Sequence, residues 1–172
     1  MKRLSLLVVT LGVLVSGCGS SSSTAPTTPT NPTFTATLLP SNEVPAVSGA
    51  EASGSGTATV TLVTTKDGAG NVTSATATFV VNLSGFPAGT SINAAHIHNA
   101  PAGTNSGVVV SSGITTGQNV LATGSGSFTA ANLSVDAALA NQILANPAGF
   151  YFNVHSSLNA GGVARGQLVR VQ

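Results

Sequence analysis

Charge is what this 172-residue chain has least of: Lys, Arg, Asp and Glu together make up 5% of it, against about 25% in an ordinary soluble domain. Nucleic-acid binding takes clustered Lys and Arg along the phosphate backbone. With five Lys and Arg in all, nucleic acid is excluded as a partner. Cysteine occurs once, as Cys18, so no disulfide can form within the chain. Tryptophan is missing, and Tyr151 is the lone tyrosine beside six phenylalanines. A G-x-S-x-G elbow and a P-loop are both absent, and no carboxylate stands within a few residues of a histidine to suggest a triad. The acids Glu43, Glu51, Asp67 and Asp136 are scattered, which gives no support to a carboxylate-pair hydrolase.

What is there begins with an address. Lys2 and Arg3 precede the apolar run Leu4 to Val15. As a helix that run spans ~18 Å, too short for the ~30 Å hydrocarbon core of a bilayer. Residues 1–17 therefore read as a signal peptide. The run closes on "VSGC", which resembles the bacterial lipobox, where the leader is cut before a cysteine whose thiol takes diacylglycerol. Cys18 is the expected lipidation site, and Gly19 after it favours the outer membrane or cell surface. Anchoring of this kind carries more than the two signals that stable attachment takes. Residues 18–33 hold the lipidated Cys and a Ser/Thr/Pro tether that keeps the folded part off the lipid. Without the leader, Lys66, Arg165 and Arg170 face the four acids, a net charge of −1.

From Phe34 to the end, apolar and polar residues alternate with period two, the mark of strands with one buried face. Ala58, Val60 and Leu62 oppose Thr57, Thr59 and Thr61; Ala75, Ala77, Phe79, Val81 and Leu83 oppose Ser74, Thr76 and Thr78. "KDGAGN" (66–71) is a turn joining these two runs as a hairpin. Further strands are expected at 92–99, 107–112, 120–128, 150–157 and 162–171. One segment breaks the pattern: Ala138, Leu139, Gln142 and Ile143 have helical spacing, with Ser134 as the expected N-cap and Pro147 as the stop. The expected fold is all-β, an antiparallel Greek-key or immunoglobulin-like sandwich or barrel of about 7–8 strands, with one short helix near 134–145.

Three stretches in order, "LLPSNEVPAV" (38–47), "AAHIHNAPAGTNSGVVV" (94–110) and "GFYFNVHSSLNAGGVARGQL" (149–168), resemble the chordin-type CHRD domain. The resemblance covers everything from Phe34 onward and implies an all-β, immunoglobulin-like barrel. Such domains occur in chordin, an extracellular antagonist of growth-factor signalling, and in secreted or surface-anchored bacterial proteins. The resemblance implies the fold more than a function. The expected role is a non-enzymatic binding module displayed outside the membrane, its partner an extracellular protein or polysaccharide. A copper-dependent redox protein and a purely structural envelope protein are the alternatives.

The three histidines carry what chemistry there is. Alternation puts His96 and His98 on one face of their strand, and Tyr151, Asn153 and His155 on one face of theirs. Ile92 and Ala94 share the His96 face on strict alternation, an apolar intrusion. Three readings stand side by side. The imidazoles converge on a transition metal, copper or zinc, with Glu43 as a candidate fourth ligand; they bond to backbone carbonyls and nearby Asn side chains; or they form a partner-facing patch. The metal reading requires the strands to be neighbours, because a strand between them would put ~10 Å in the way. "HIH", "NVH" and "NAGGVARGQL" also bear a weaker likeness to the Cu/Zn superoxide dismutase barrel. That likeness implies copper on His96, His98 and His155 and an anion-steering role for Arg165. The chain lacks that family's bridging histidine, further zinc ligands and disulfide cysteines. Alternatively Arg165 is structural, its planar fork suited to a bidentate pair with Glu43.

Overall fold

The threonine-alternating runs form the larger of two sheets. The computed structural model describes residues 31–172, and the signal peptide, Cys18 and nearly all of the tether lie outside them. The strands are β1 (Thr33–Leu38), β2 (Ser55–Lys66), β3 (Val72–Ser84), β4 (Thr90–His98), β5 (Val108–Ser111), β6 (Asn119–Leu121), β7 (Gly126–Val135), β8 (Tyr151–Ser156), β9 (Ala164–Gln167) and β10 (Val169–Arg170), with one helix, α1 (Ala137–Ala145). One sheet runs β10-β1-β2-β3-β7. The other runs β5-β4-β8-β9, with β6 pairing the start of β4. Every pairing is antiparallel. Asp67 closes the β2–β3 hairpin, accepting from the backbone N–H groups of Ala69 and Asn71.

The inner faces of the sheets meet in one apolar cluster that includes Phe34, Leu62, Phe79, Ile97 and Phe152. Phe79 and Phe152 cross it edge to face, their centroids 5.0 Å apart, a preferred aromatic geometry. On the outer face of the larger sheet Thr35 stands opposite Thr59, and Thr37 opposite Thr57. Hydroxyls there do the work that charge does on most proteins. No helix among the described residues is long and apolar enough to cross a membrane.

There are ten strands because two of the expected ones change sheets. The 120–128 run turns after Leu121, leaving β6 in the smaller sheet and β7 in the larger. The 162–171 run divides at the fully buried Leu168 into β9 and β10. β9 lies so close to β1 that a Cβ on Gly166 would collide with the Thr37 carbonyl oxygen. Leu39 and Arg165 exchange backbone hydrogen bonds at that seam, which closes one side of the sandwich.

The helix is shorter than its spacing suggests. Ser134 stays in the ladder opposite Thr76, and Val135 opposite Ala75, because leaving would orphan sheet hydrogen bonds. Asp136 is the N-cap instead, its Oδ1 accepting from the N–H groups of Ala138 and Leu139 at 2.9 and 3.1 Å. Asp136→Ala should therefore cost about 1 kcal/mol of stability. Ser134→Ala should stay within ~0.5 kcal/mol, as surface substitutions do. Urea denaturation checks both, and equal losses would contradict the cap assignment.

Candidate metal centre

β4 and β8 are neighbours, so the expected condition for a three-histidine site is met in register. His96 stands opposite Asn153, His98 opposite Tyr151, and Ala94 opposite His155. The larger part of the apolar intrusion, Ile92, is taken off the His96 face by a β-bulge, while Ala94 stays on it opposite His155. Ile92 pairs with Ser156 and Ala94 with His155, which leaves Asn93 as the extra residue and resets the alternation. Ile92, Ala95 and Ile97 then all point into the core, while His96 and His98 point outward with His155.

Outward is not exposed. His98 is 6% exposed, His155 9% and Asn153 2%, because loops 39–48, 99–107 and 157–163 fold over the outer face. One potential ligand atom from each of His96, His98 and His155 lies within 4.8 Å of the others. Nδ1 of His96 is 3.2 Å from Nε2 of His155, close to the ~3.4 Å that separates two nitrogens on a tetrahedral ion with bonds near 2.0–2.1 Å.

Backbone carbonyls settle the tautomers. Nδ1 of His98 lies 2.9 Å from the Ser106 carbonyl oxygen, and Nδ1 of His155 lies 2.9 Å from that of Ala160. A carbonyl only accepts, so both Nδ1 atoms carry the hydrogen and both Nε2 atoms present lone pairs. This is the outer-shell arrangement that orients imidazole ligands toward metals. Nε2 of His98 is buried and has no hydrogen-bond partner. Its ring stacks on Tyr151, 4.7 Å between centroids and 4° from parallel.

Burial pushes the His96 pKa down to about 4, assisted by the charges of His155 and His98. Burial also lowers His98 and His155, with carbonyls of Ser106 and Ala160 pulling the other way. All three are neutral at pH 7, the form that coordinates metals.

Glu43 is not brought into the cluster. Burial raises its pKa to about 7, partly offset by Arg165, whose Nε is 3.7 Å from Glu43 Oε2. That single long contact is not the bidentate fork expected for the pair. Arg165 gives its donors to loops instead: Nε to the Asn42 carbonyl at 2.7 Å, Nη1 to Asn105 Oδ1 at 2.8 Å and more weakly to the Thr104 carbonyl. Its guanidinium also lies over the Tyr151 ring, 4.8 Å from the centroid. Arg165 is 3% exposed, and its buried Nη2 has no hydrogen-bond partner among the described residues. Gly162 lets the loop close on this spot, since a Cβ there would sit 2.7 Å from Glu43 Oε2 and Asn153 Nδ2.

These groups pull stability in opposite directions with pH. The folded pKa of each histidine lies below 6.5, so their contribution is complete above pH 6.5 and drains as pH falls toward 4. Glu43 titrates near 7 in the fold against 4.5 unfolded, so its contribution is complete below pH 4.5 and is lost as pH rises through 7. Three histidines outweigh one carboxyl. The metal-free melting temperature should rise from pH 4.5 to 6.5, and Glu43→Gln should steepen the rise. A flat profile in both proteins would contradict these pKa directions.

A two-sheet antiparallel domain with a loop-covered histidine cluster on one outer face is the class that fold and site define. The chain belongs to the CHRD domain family, whose model matches residues 34–168. Comparison with curated proteins and with solved structures returns no match.

Proposed function

We propose that this protein is a lipid-anchored, extracytoplasmic CHRD-domain module that holds one transition-metal ion on His96, His98 and His155. One observation carries the reading: the unpaired, buried Nε2 of His98, beside two other imidazole nitrogens within 4.8 Å. A purely structural network would leave that acceptor orphaned at a cost of about 1–3 kcal/mol, whereas an ion uses it. Three neutral nitrogens suit zinc or copper. His96, the least buried of the three, is where a surface ligand would reach the ion, such as a group on an extracellular protein or polysaccharide. Cys18 and the tether fix the module at the bacterial outer membrane or cell surface, where such partners are met. Its action is binding rather than turnover.

The test is titration of the full chain in detergent with Zn(II), Cu(II) and Cu(I). One ion per chain, lost in the His96→Ala/His98→Ala/His155→Ala triple variant, is the expected result. Binding no better than the variant's background would overturn the metal reading. Superoxide turnover that follows copper loading and vanishes in His155→Ala would instead support a copper-dependent redox enzyme.

A further inference from the structure

Two of the chain's four acids are buried in the fold, Glu43 and Glu51. Glu51, 2% exposed, has only neutral hydrogen-bond partners. Ser156 Oγ and the Asn159 side-chain amide both donate to its Oε2 at 2.6 Å. No cation pairs with it among the described residues. A carboxylate buried in this way carries a desolvation cost, so what it holds in place is informative.

It holds the turn that leaves β8. Ser156 Oγ accepts from the Asn159 N–H at 2.9 Å. The Ser156 N–H and the Gly162 N–H both donate to the Asn159 carbonyl. Ala160, next in the chain, accepts from Nδ1 of His155. Glu51 itself sits in a single helical turn, Ala50–Ser53, that leads directly into β2. Charge-assisted bonds to a carboxylate are about twice as strong as neutral ones, and one oxygen gathers both ends of the turn. We infer that Glu51 is a positioning residue for the metal centre: it clamps the 156–159 turn so that the Ala160 carbonyl fixes the tautomer and orientation of His155. This rests on the three-histidine metal reading, and ties a ligand on one sheet to the first long strand of the other.

The experiment compares the full chain with Glu51→Ala, Glu51→Gln and Val81→Ala. The last removes core packing in β3, away from the loop, and controls for plain loss of stability. Two readouts are taken: Zn(II) affinity by competition with a chromophoric chelator, and the His155 tautomer in the metal-free protein by imidazole ¹⁵N NMR. Glu51→Ala should weaken Zn(II) by about 10–100-fold, the usual effect of losing an outer-shell partner, and should mix the two His155 tautomers. Glu51→Gln, whose carbonyl still accepts both bonds, should restore most of the affinity and the single Nδ1–H tautomer. Val81→Ala should change neither readout. Unchanged affinity and tautomer in Glu51→Ala, or a loss matched by Val81→Ala, overturns the inference and leaves the metal reading standing. Absence of Zn(II) binding in the unsubstituted chain overturns the metal reading instead, while the tautomer readout still decides whether Glu51 positions His155.

Discussion

Zn(II) should raise the melting temperature of this protein by roughly 10 °C, and His98→Ala should abolish the shift. An ion that binds the fold alone stabilises it by about 4 kcal/mol at a thousand times its Kd. For a domain of this size that corresponds to roughly 10 °C. His98 is the decisive position because its Nε2 is buried without a partner, and its tautomer is fixed by the Ser106 carbonyl. Losing a ligand should cost more than the ~10–100-fold that losing an outer-shell partner does. His98→Ala also removes the stack on Tyr151, so its metal-free midpoint should fall as well. His96→Ala separates the two effects, since His96 is the least buried of the three and its one hydrogen-bond partner is His155. It should fold near the original midpoint and still lose the shift. Shifts retained in both variants would mean that zinc binds elsewhere.

The same structure shows why the histidines were legible in the sequence and their supports were not. Alternation along "AAHIHN" and "FYFNVH" is a backbone property, so it put His96, His98 and His155 on outer faces correctly. Whether the strands adjoin depends on topology, and nothing local encodes that. The bulge is marked only by Asn93, a single turn-prone residue inside an otherwise strand-like run, yet it moves Ile92 into the core. Ser134 lost the cap to Asp136 because sheet pairing outranked local spacing. The carbonyls of Ser106 and Ala160 were invisible for a deeper reason: every residue has one, and only loop conformation decides where it points. Glu51 did leave a signal. In a chain with four acids each one is conspicuous, but Glu43 stands in a stretch that carries the CHRD resemblance and Glu51 does not.

Arg165→Ala should be the most damaging single substitution of a charged residue in the domain, at about 3–5 kcal/mol, the cost of removing one member of a buried pair. Stability of an ordinary domain is only about 5–15 kcal/mol in all, so much of the margin goes. Arg165 ties β9 to the loop before β2 through Asn42 and to the 99–107 loop through Thr104 and Asn105. That second loop carries Ser106, whose carbonyl orients His98. Arg165→Lys should lose nearly as much, because an ammonium cannot reproduce the planar fork. Part of the penalty belongs to Glu43, left buried beside a missing cation. Arg165 is the one influence lowering the Glu43 pKa, so without it the folded pKa climbs further above 4.5. The damage should then grow as pH rises, being larger at pH 8 than at pH 5, and Glu43→Gln in the Arg165→Ala background should remove that dependence. Urea denaturation at the two pH values measures both effects. A loss below ~0.5 kcal/mol, typical of surface sites, would return Arg165 to the anion-steering role that the dismutase likeness implies. A large loss with the stated pH trend makes it the clamp that holds two loops over the histidines.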